Sequence, residues 1–217
     1  MSDDREALKR AAAEAAAQLV QDGMAVGLGT GSTVRHLLPA IAARELHAVR
    51  YVATSPATAE QAVGLGMAIE PFDALRRLDL AIDGADQLAP DGWLIKGGGG
   101  AQVREKVVAV AADRFVVIAD ATKVVDALAG PVPVELLAFG LSATLAQLGS
   151  VQLRADAGPS PDGNVIADRL GPIVDPAALA AQLDALPGVV GHGLFDGALV
   201  TEAFVGRPDG VEHRVLR

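Results

Sequence analysis

Five polar clusters, each directly after a short apolar run, constrain the fold of this chain more than any other feature. They are Thr30 to Thr33, Thr54-Ser55, Asp83 to Asp86, Lys96 to Gly100, and Lys123. The runs Met24 to Leu28, Val49 to Ala53, Leu78 to Ile82, Trp93 to Ile95 and Phe115 to Ala119 have the length and apolarity of buried strands. Between them the spacing turns helical. Val34, Leu37, Leu38 and Ile41 share one face, and Ala57 to Leu65 and Ala101 to Asp113 read as further helices. Strands alternating with helices imply a mostly parallel, doubly wound sheet. Ligands of such sheets bind outside the carboxyl ends of the strands, so the five clusters are expected to converge on one crevice.

The expected fold class is α/β: a Rossmann-like doubly wound sheet with a second, smaller ferredoxin-like α+β domain. An opening helix places Leu8, Ala11, Ala12, Ala15 and Leu19 on one face, with Ser2, Asp3 or Asp4 as cap and Gly23 as stop. The pattern changes near Gly130-Pro131. Strand (Val132 to Leu136), helix (Ser142 to Leu148), strands (Val151 to Arg154 and Asn164 to Asp168), helix (Pro176 to Leu186) and strand (Val189 to Leu194) follow. That βαββαβ order is the ferredoxin-like arrangement. We therefore expect residues 1–129 plus 206–217 to form the Rossmann-like catalytic domain and residues 130–205 the ferredoxin-like one. The tail, Ala198 to Val205 and Val211 to Leu216, reads as β and could return to the first sheet.

Composition narrows the function. Half of the 217 residues are apolar, chiefly Ala, Val and Leu with few aromatics, which suits helices on a parallel sheet. No cysteine is present, so neither disulfides nor thiolate chemistry is available. A formal net charge of −9 argues against broad nucleic-acid binding. The acidic, polar N-terminus is unlike a secretory signal, and no apolar run approaches the roughly 20 residues of a membrane span. A cytoplasmic protein is the expectation.

Gly29-Thr30-Gly31-Ser32-Thr33 has the makings of an anion cradle, with close backbone approach, hydroxyl donors and a helix N-terminus; an ordinary tight βα turn would read the same way. It is not a Walker A loop, since no lysine precedes Ser32 at the required spacing. It also fails the dinucleotide fingerprint, because Ser32 stands where Gly or Ala is needed and Thr54 where an acid should end the second strand. Lys96 followed by four glycines suits a phosphate or an oxyanion, the alternative being a flexible loop. Glu105, early in the next helix, is a candidate base or merely a dipole-stabilising acid. Asp83 and Asp86 could bind a metal, hydrogen-bond sugar hydroxyls or form an Asx turn. A metal is the weakest of these readings, because no histidine is near and lysines would oppose a cation. The four histidines share no ligand spacing.

Taken together, GLGTGST (Gly27 to Thr33), DGAD (Asp83 to Asp86), IKGGGGA-x-x-REK (Ile95 to Lys106) and IADATK (Ile118 to Lys123) resemble the ribose-5-phosphate isomerase A family in order and spacing. Gly193-Leu194-Phe195 and Arg207 to Val211 extend the resemblance over nearly the whole chain. It implies interconversion of D-ribose 5-phosphate and D-ribulose 5-phosphate through a cis-enediolate, without cofactor or metal, in a homo-oligomer. It implies Glu105 as the base, with Asp83, Asp86 and Lys96 handling hydroxyls, ring opening and the oxyanion. Thr30, Gly31, Ser32, Thr33, Gly84, Ala85, Gly97, Gly98, Gly99 and Lys123 match substrate contacts, and Lys9 is implied to approach the phosphate. Two departures stand out: Gln87 where the family commonly has Glu, and Gly100 where Ala is common. Two rivals remain. A phosphosugar sensor would add an N-terminal helix-turn-helix, and a CoA transferase would use its glutamate as nucleophile.

Overall fold

The computed structural model describes residues 2–155 and 158–217, the side chains of Ser2, Asp3 and Ala74 excepted. In the first half, α1 (Ser2–Ala17), β1 (Ala25–Leu28), α2 (Val34–Ala42), β2 (Arg50–Ala53), α3 (Pro56–Gly64), β3 (Leu78–Gly84), β4 (Gln87–Leu88), β5 (Leu94–Ile95), α4 (Gln102–Ala111) and β6 (Ala112–Asp120) follow in order. The second half contains β7 (Val132–Leu136), α5 (Leu141–Leu148), β8 (Val151–Leu153), β9 (Val165–Arg169), α6 (Pro176–Asp184), β10 (Val189–His192), β11 (Leu194–Phe195), β12 (Val200–Arg207) and β13 (Gly210–Val215).

The six-stranded sheet has the order β13-β12-β6-β3-β1-β2. All neighbours are parallel except the β12–β13 hairpin. One face carries α1 and α2, whose Ala12, Ala13, Ala16, Leu37, Leu38 and Ile41 pack on Val26, Leu28, Leu80, Ile82, Val116 and Ile118. The other face meets α4 through Val108 and Ala109, with Phe115, Val117 and Phe195. Alternation along β6 thus feeds two cores, as expected for strands covered on both sides. The second sheet, β10-β7-β9-β8, is antiparallel throughout and takes its helices from α5 and α6. This is the βαββαβ arrangement anticipated from the pattern.

Some local expectations need correction. The buried stripe of α1 runs through Lys9, Ala12, Ala13, Ala16 and Ala17, with Val20 just beyond the helix, one residue round from the expected face. A helix with alanine on every side carries little phase information. Asp4 lies within α1, while the caps proposed at Ser2 and Asp3 involve side chains outside the described set. Ala112 and Asp113 belong to β6 and not to the preceding helix, because Ala112 pairs with Leu78. The expected strand Val189 to Leu194 breaks at Gly193, where Leu194 and Phe195 leave to join β5 in a small three-stranded sheet. Finally, β12 pairs with β6, so residues 200–205 lie in the six-stranded sheet, outside the ferredoxin-like unit to which the 130–205 boundary assigned them.

Candidate active site

At the carboxyl ends of β1, β3 and β6 lies a cleft of about 190 Å³. Thr30, Gly31, Ser32, Thr33, Gly84, Ala85, Asp86, Lys96, Gly97, Gly98, Gly99, Glu105 and Lys123 line it. Of the expected residues, Asp83 is absent from this lining, being buried and salt-bridged to Lys96, and so is Gly100. Thr54-Ser55 and Lys9 do not line the cleft. The Thr54 hydroxyl meets that of Thr30 at 2.8 Å, and Thr58 Oγ1 donates to Gly29 O at 2.9 Å, so the second cluster braces the first turn. The ammonium of Lys9 is paired with Glu6 at 2.6 Å.

The turn after β1 is shaped by Asp83. One of its oxygens, Oδ1, accepts from the amides of Thr30 (3.0 Å) and Gly84 (2.7 Å), so the two strand ends are tied together. A side chain at Gly29 would place its Cβ 1.9 Å from the Asp83 carboxyl, which is why the close approach needs glycine. Beyond it, the amides of Gly31, Ser32 and Thr33 make no hydrogen bond among the described residues. They open α2 with unspent donors, the arrangement that attracts an anion.

Three charged groups form the floor. Lys96 Nζ lies 2.8 Å from Asp83 Oδ2 and 3.2 Å from Glu105 Oε2, and donates to Gly84 O at 2.6 Å. Asp83, Lys96 and Glu105 are 3 %, 2 % and 4 % exposed. Two carboxylates sharing one ammonium out of water leave an excess negative charge, which the site relieves by holding a proton. Burial, helped by the Asp83 charge and resisted by Lys96, raises the Glu105 pKa to about 8. Burial also pushes Asp83 up, against Lys96 and the two amides that favour its ionised form. Burial alone would lower Lys96, but the two carboxylates outweigh it and keep the ammonium charged. The floor therefore contains a carboxyl able to exchange a proton near neutral pH and a permanent cation beside it.

The helix places Glu105 alone toward this floor. Its neighbour Arg104 turns away to a bidentate pair with Asp162, and Lys106 lies 3.3 Å from His192 Nδ1. The glycine loop forms the wall. Gly97 adopts φ +104°, and a Cβ there would meet Gln102 and Pro133 inside 3 Å. Gly98 N donates to Asp86 Oδ2 at 2.7 Å.

Several contributors escaped the sequence reading. Arg154 reaches from the end of β8 to the carbonyls of Gly97 (2.8 Å) and Gly98 (3.1 Å). The Phe195 ring centroid lies 5.6 Å from Lys96 Nζ. Gln102 is fully buried beside the loop with neither amide atom hydrogen-bonded. Arg154 and Phe195 sit far along the chain from the loops they support, and no local spacing signals them. Among the described residues no group of three or more His, Asp or Glu side chains is placed to hold a metal ion.

A doubly wound sheet with unspent helix-start amides and a buried carboxyl of raised pKa beside an ammonium at its strand ends suits a class of enzymes that move protons on small anionic metabolites. Comparison with known proteins gives the family. Residues 50–210 match the family model described as ribose 5-phosphate isomerase A (phosphoriboisomerase A). Ribose-5-phosphate isomerase A of Caulobacter vibrioides is 46% identical, covering 94% of this chain and 95% of the relative. That of Chloroflexus aurantiacus is also 46% identical, over 96% and 93%. The crystal structure of ribose 5-phosphate isomerase A from Neisseria gonorrhoeae superposes with a TM-score of 0.93 at 30% identity, covering 98% of both chains. A D-ribose-5-phosphate isomerase solved in complex with phospho-erythronic acid gives 0.91 at 30% identity, over 97% and 99%. The chain belongs to the ribose 5-phosphate isomerase A family.

Proposed function

We propose that the chain interconverts D-ribose 5-phosphate and D-ribulose 5-phosphate through a cis-enediolate, with Glu105 as the base. The observation that carries this reading is the contact of Glu105 with Lys96 at the floor of the cleft, with the Glu105 pKa raised to about 8. A base of that strength can take a carbon-bound proton and return it. In the forward direction Glu105 removes the proton from C2 of the open-chain aldose, and the C1 carbonyl oxygen gains negative charge. Lys96 and the glycine-loop amides stabilise that oxygen, a contribution worth about 3–4 kcal/mol for a preorganised donor. Glu105 then delivers its proton to C1. The O2 hydroxyl proton passes to O1 beside Lys96, and the ketose is formed.

The phosphate is assigned to the cradle of Thr30 to Thr33 with Lys123. Asp86, at the rim, is assigned to the sugar hydroxyls and ring opening, together with Asp83. The relative solved with phospho-erythronic acid, itself a phosphorylated sugar acid, supports a phosphosugar occupant. Neither a metal nor a cofactor has a part in this scheme. A cytoplasmic enzyme of the non-oxidative pentose phosphate pathway, working as a dimer or tetramer, belongs to the same reading. No helix among the described residues is long and apolar enough to cross a membrane.

The test is an assay of ketose formation from ribose 5-phosphate with a chelator present, run beside Glu105→Gln. Turnover by the wild type that survives chelation and falls at least about 1000-fold in the variant supports the scheme. Saturable binding without turnover would replace the enzyme by a phosphosugar sensor.

A further inference from the structure

We infer that Arg154, supplied by the antiparallel domain, is a positioning residue that clamps the glycine loop into its oxyanion-stabilising form; this rests on the isomerase reading above. Two edges of one guanidinium do separate jobs. Nε and Nη2 form a fork with Asp168 Oδ2 and Oδ1, both at 2.7 Å, which fixes the plane of the group. Nη1 then points at the loop and donates to Gly97 O at 2.8 Å and Gly98 O at 3.1 Å.

A trans peptide directs its N–H opposite to its C=O, so holding a carbonyl aims the following amide. For the Gly97–Gly98 peptide, the carbonyl accepts from Arg154 and, at 3.0 Å, from the Gly100 amide, while Asp86 takes the amide at 2.7 Å, so both ends are pinned. For the Gly98–Gly99 peptide, only the carbonyl is taken. The Gly99 amide therefore faces away from Arg154, carries no hydrogen bond among the described residues, and lies in the lining of the cleft. With the Gly97 amide, which likewise makes no hydrogen bond among the described residues, it is a loop donor left for substrate. Glycines have no side chain to fix their own dihedrals, and a run of them is the costliest backbone to hold in one shape. A charged donor on two successive carbonyls fixes that shape and polarises the amides beyond them. Lysine could not replace it, since an ammonium lacks the planar fork that serves Asp168 and the loop together.

The experiment compares wild type with Arg154→Met and Arg154→Lys by amide hydrogen exchange of unliganded protein and by steady-state kinetics. The clamp predicts faster exchange across residues 97–100 in both variants, with global melting little changed. It predicts a kcat lowered about 10- to 100-fold while KM for ribose 5-phosphate stays within about threefold, because the loop acts on developing charge. Added guanidinium ion should restore part of the kcat of Arg154→Met and none of that of Glu105→Gln. Unchanged loop exchange, or kcat per folded molecule equal to wild type, would overturn the inference. Absence of turnover in the wild type would refute the isomerase reading instead, and the exchange result would then decide the clamp alone.

Discussion

The residue on which the chemistry turns is Glu105, and its environment makes its behaviour with pH predictable. An ordinary glutamate ionises near 4.5, whereas burial beside Asp83 holds this one to about 8. The ionised form is the base, so kcat/KM should rise with pH along a limb lying well above 4.5, and that limb should vanish in Glu105→Gln. Stability runs the other way. In the unfolded chain Glu105 loses its proton near 4.5, but the folded chain retains it to about 8. Its contribution to stability is thus fully present below 4.5 and is lost as pH rises through 8. Glu105→Gln, uncharged and of the same shape, has no such loss. Its Tm relative to wild type should increase by about 3 °C or more between pH 5 and pH 8. A flat Tm difference, measured by calorimetry, would mean that Glu105 titrates as an exposed acid. The candidate site was legible at this scale because its polar residues are consecutive or nearly so. Arg154 and Gln102 were not, since an arginine after a strand and a glutamine early in a helix are commonplace. Only the fold brings them to the glycine loop.

Among the elements, the joint between β1 and α2 is the most demanding. Asp83 occupies the space a side chain at Gly29 would need, and at the same time binds the Thr30 amide and the Lys96 ammonium. Gly29→Ala should therefore displace Asp83, loosen Lys96 and misalign the cradle together. We expect a loss of about 2–4 kcal/mol in stability and a fall of at least about 100-fold in kcat/KM, read by urea titration and steady-state kinetics. Near-normal values for both would show that the joint can relax. The sequence marked this turn by its glycines and hydroxyls, and placed β1 and α2 within a residue or so. It did not reveal the rotation of α1 or the early start of β6. Alanine-rich segments have neither a clear apolar stripe nor a strong stop, so packing and strand pairing set those boundaries.

For the whole molecule, the chain's return is what completes the first sheet. After the ferredoxin-like unit, β11 pairs with β5 next to Lys96, and Lys96 N donates to Gly193 O at 2.8 Å. β12 then covers the edge of β6 and adds Val200, Ala203 and Val205 to one core and Phe204 to the other. Ending the chain at Asp196 would strip both cores and expose β6 as an edge strand. Such a truncation should yield insoluble or non-cooperatively unfolding protein, whereas a soluble product with a sharp thermal transition would show that the sheet is complete without its return. The alternating pattern announced both the parallel sheet and the βαββαβ unit. Where the tail would pair could be suggested but not fixed, because strand order depends on long-range contacts that periodicity does not encode.

The measurement that bears most directly on the account is isomerisation of ribose 5-phosphate in D₂O, with wild type and Glu105→Gln compared for rate and for deuterium in the product. A proton passed through a carboxylate base can exchange with solvent, so the account predicts deuterium on C1 of the ribulose 5-phosphate made by wild type. It also predicts a rate at least about 1000-fold lower for the variant. A ketose without deuterium at C1 would mean only that the buried carboxyl returns its proton faster than it exchanges; rapid turnover by Glu105→Gln would contradict Glu105 as the base.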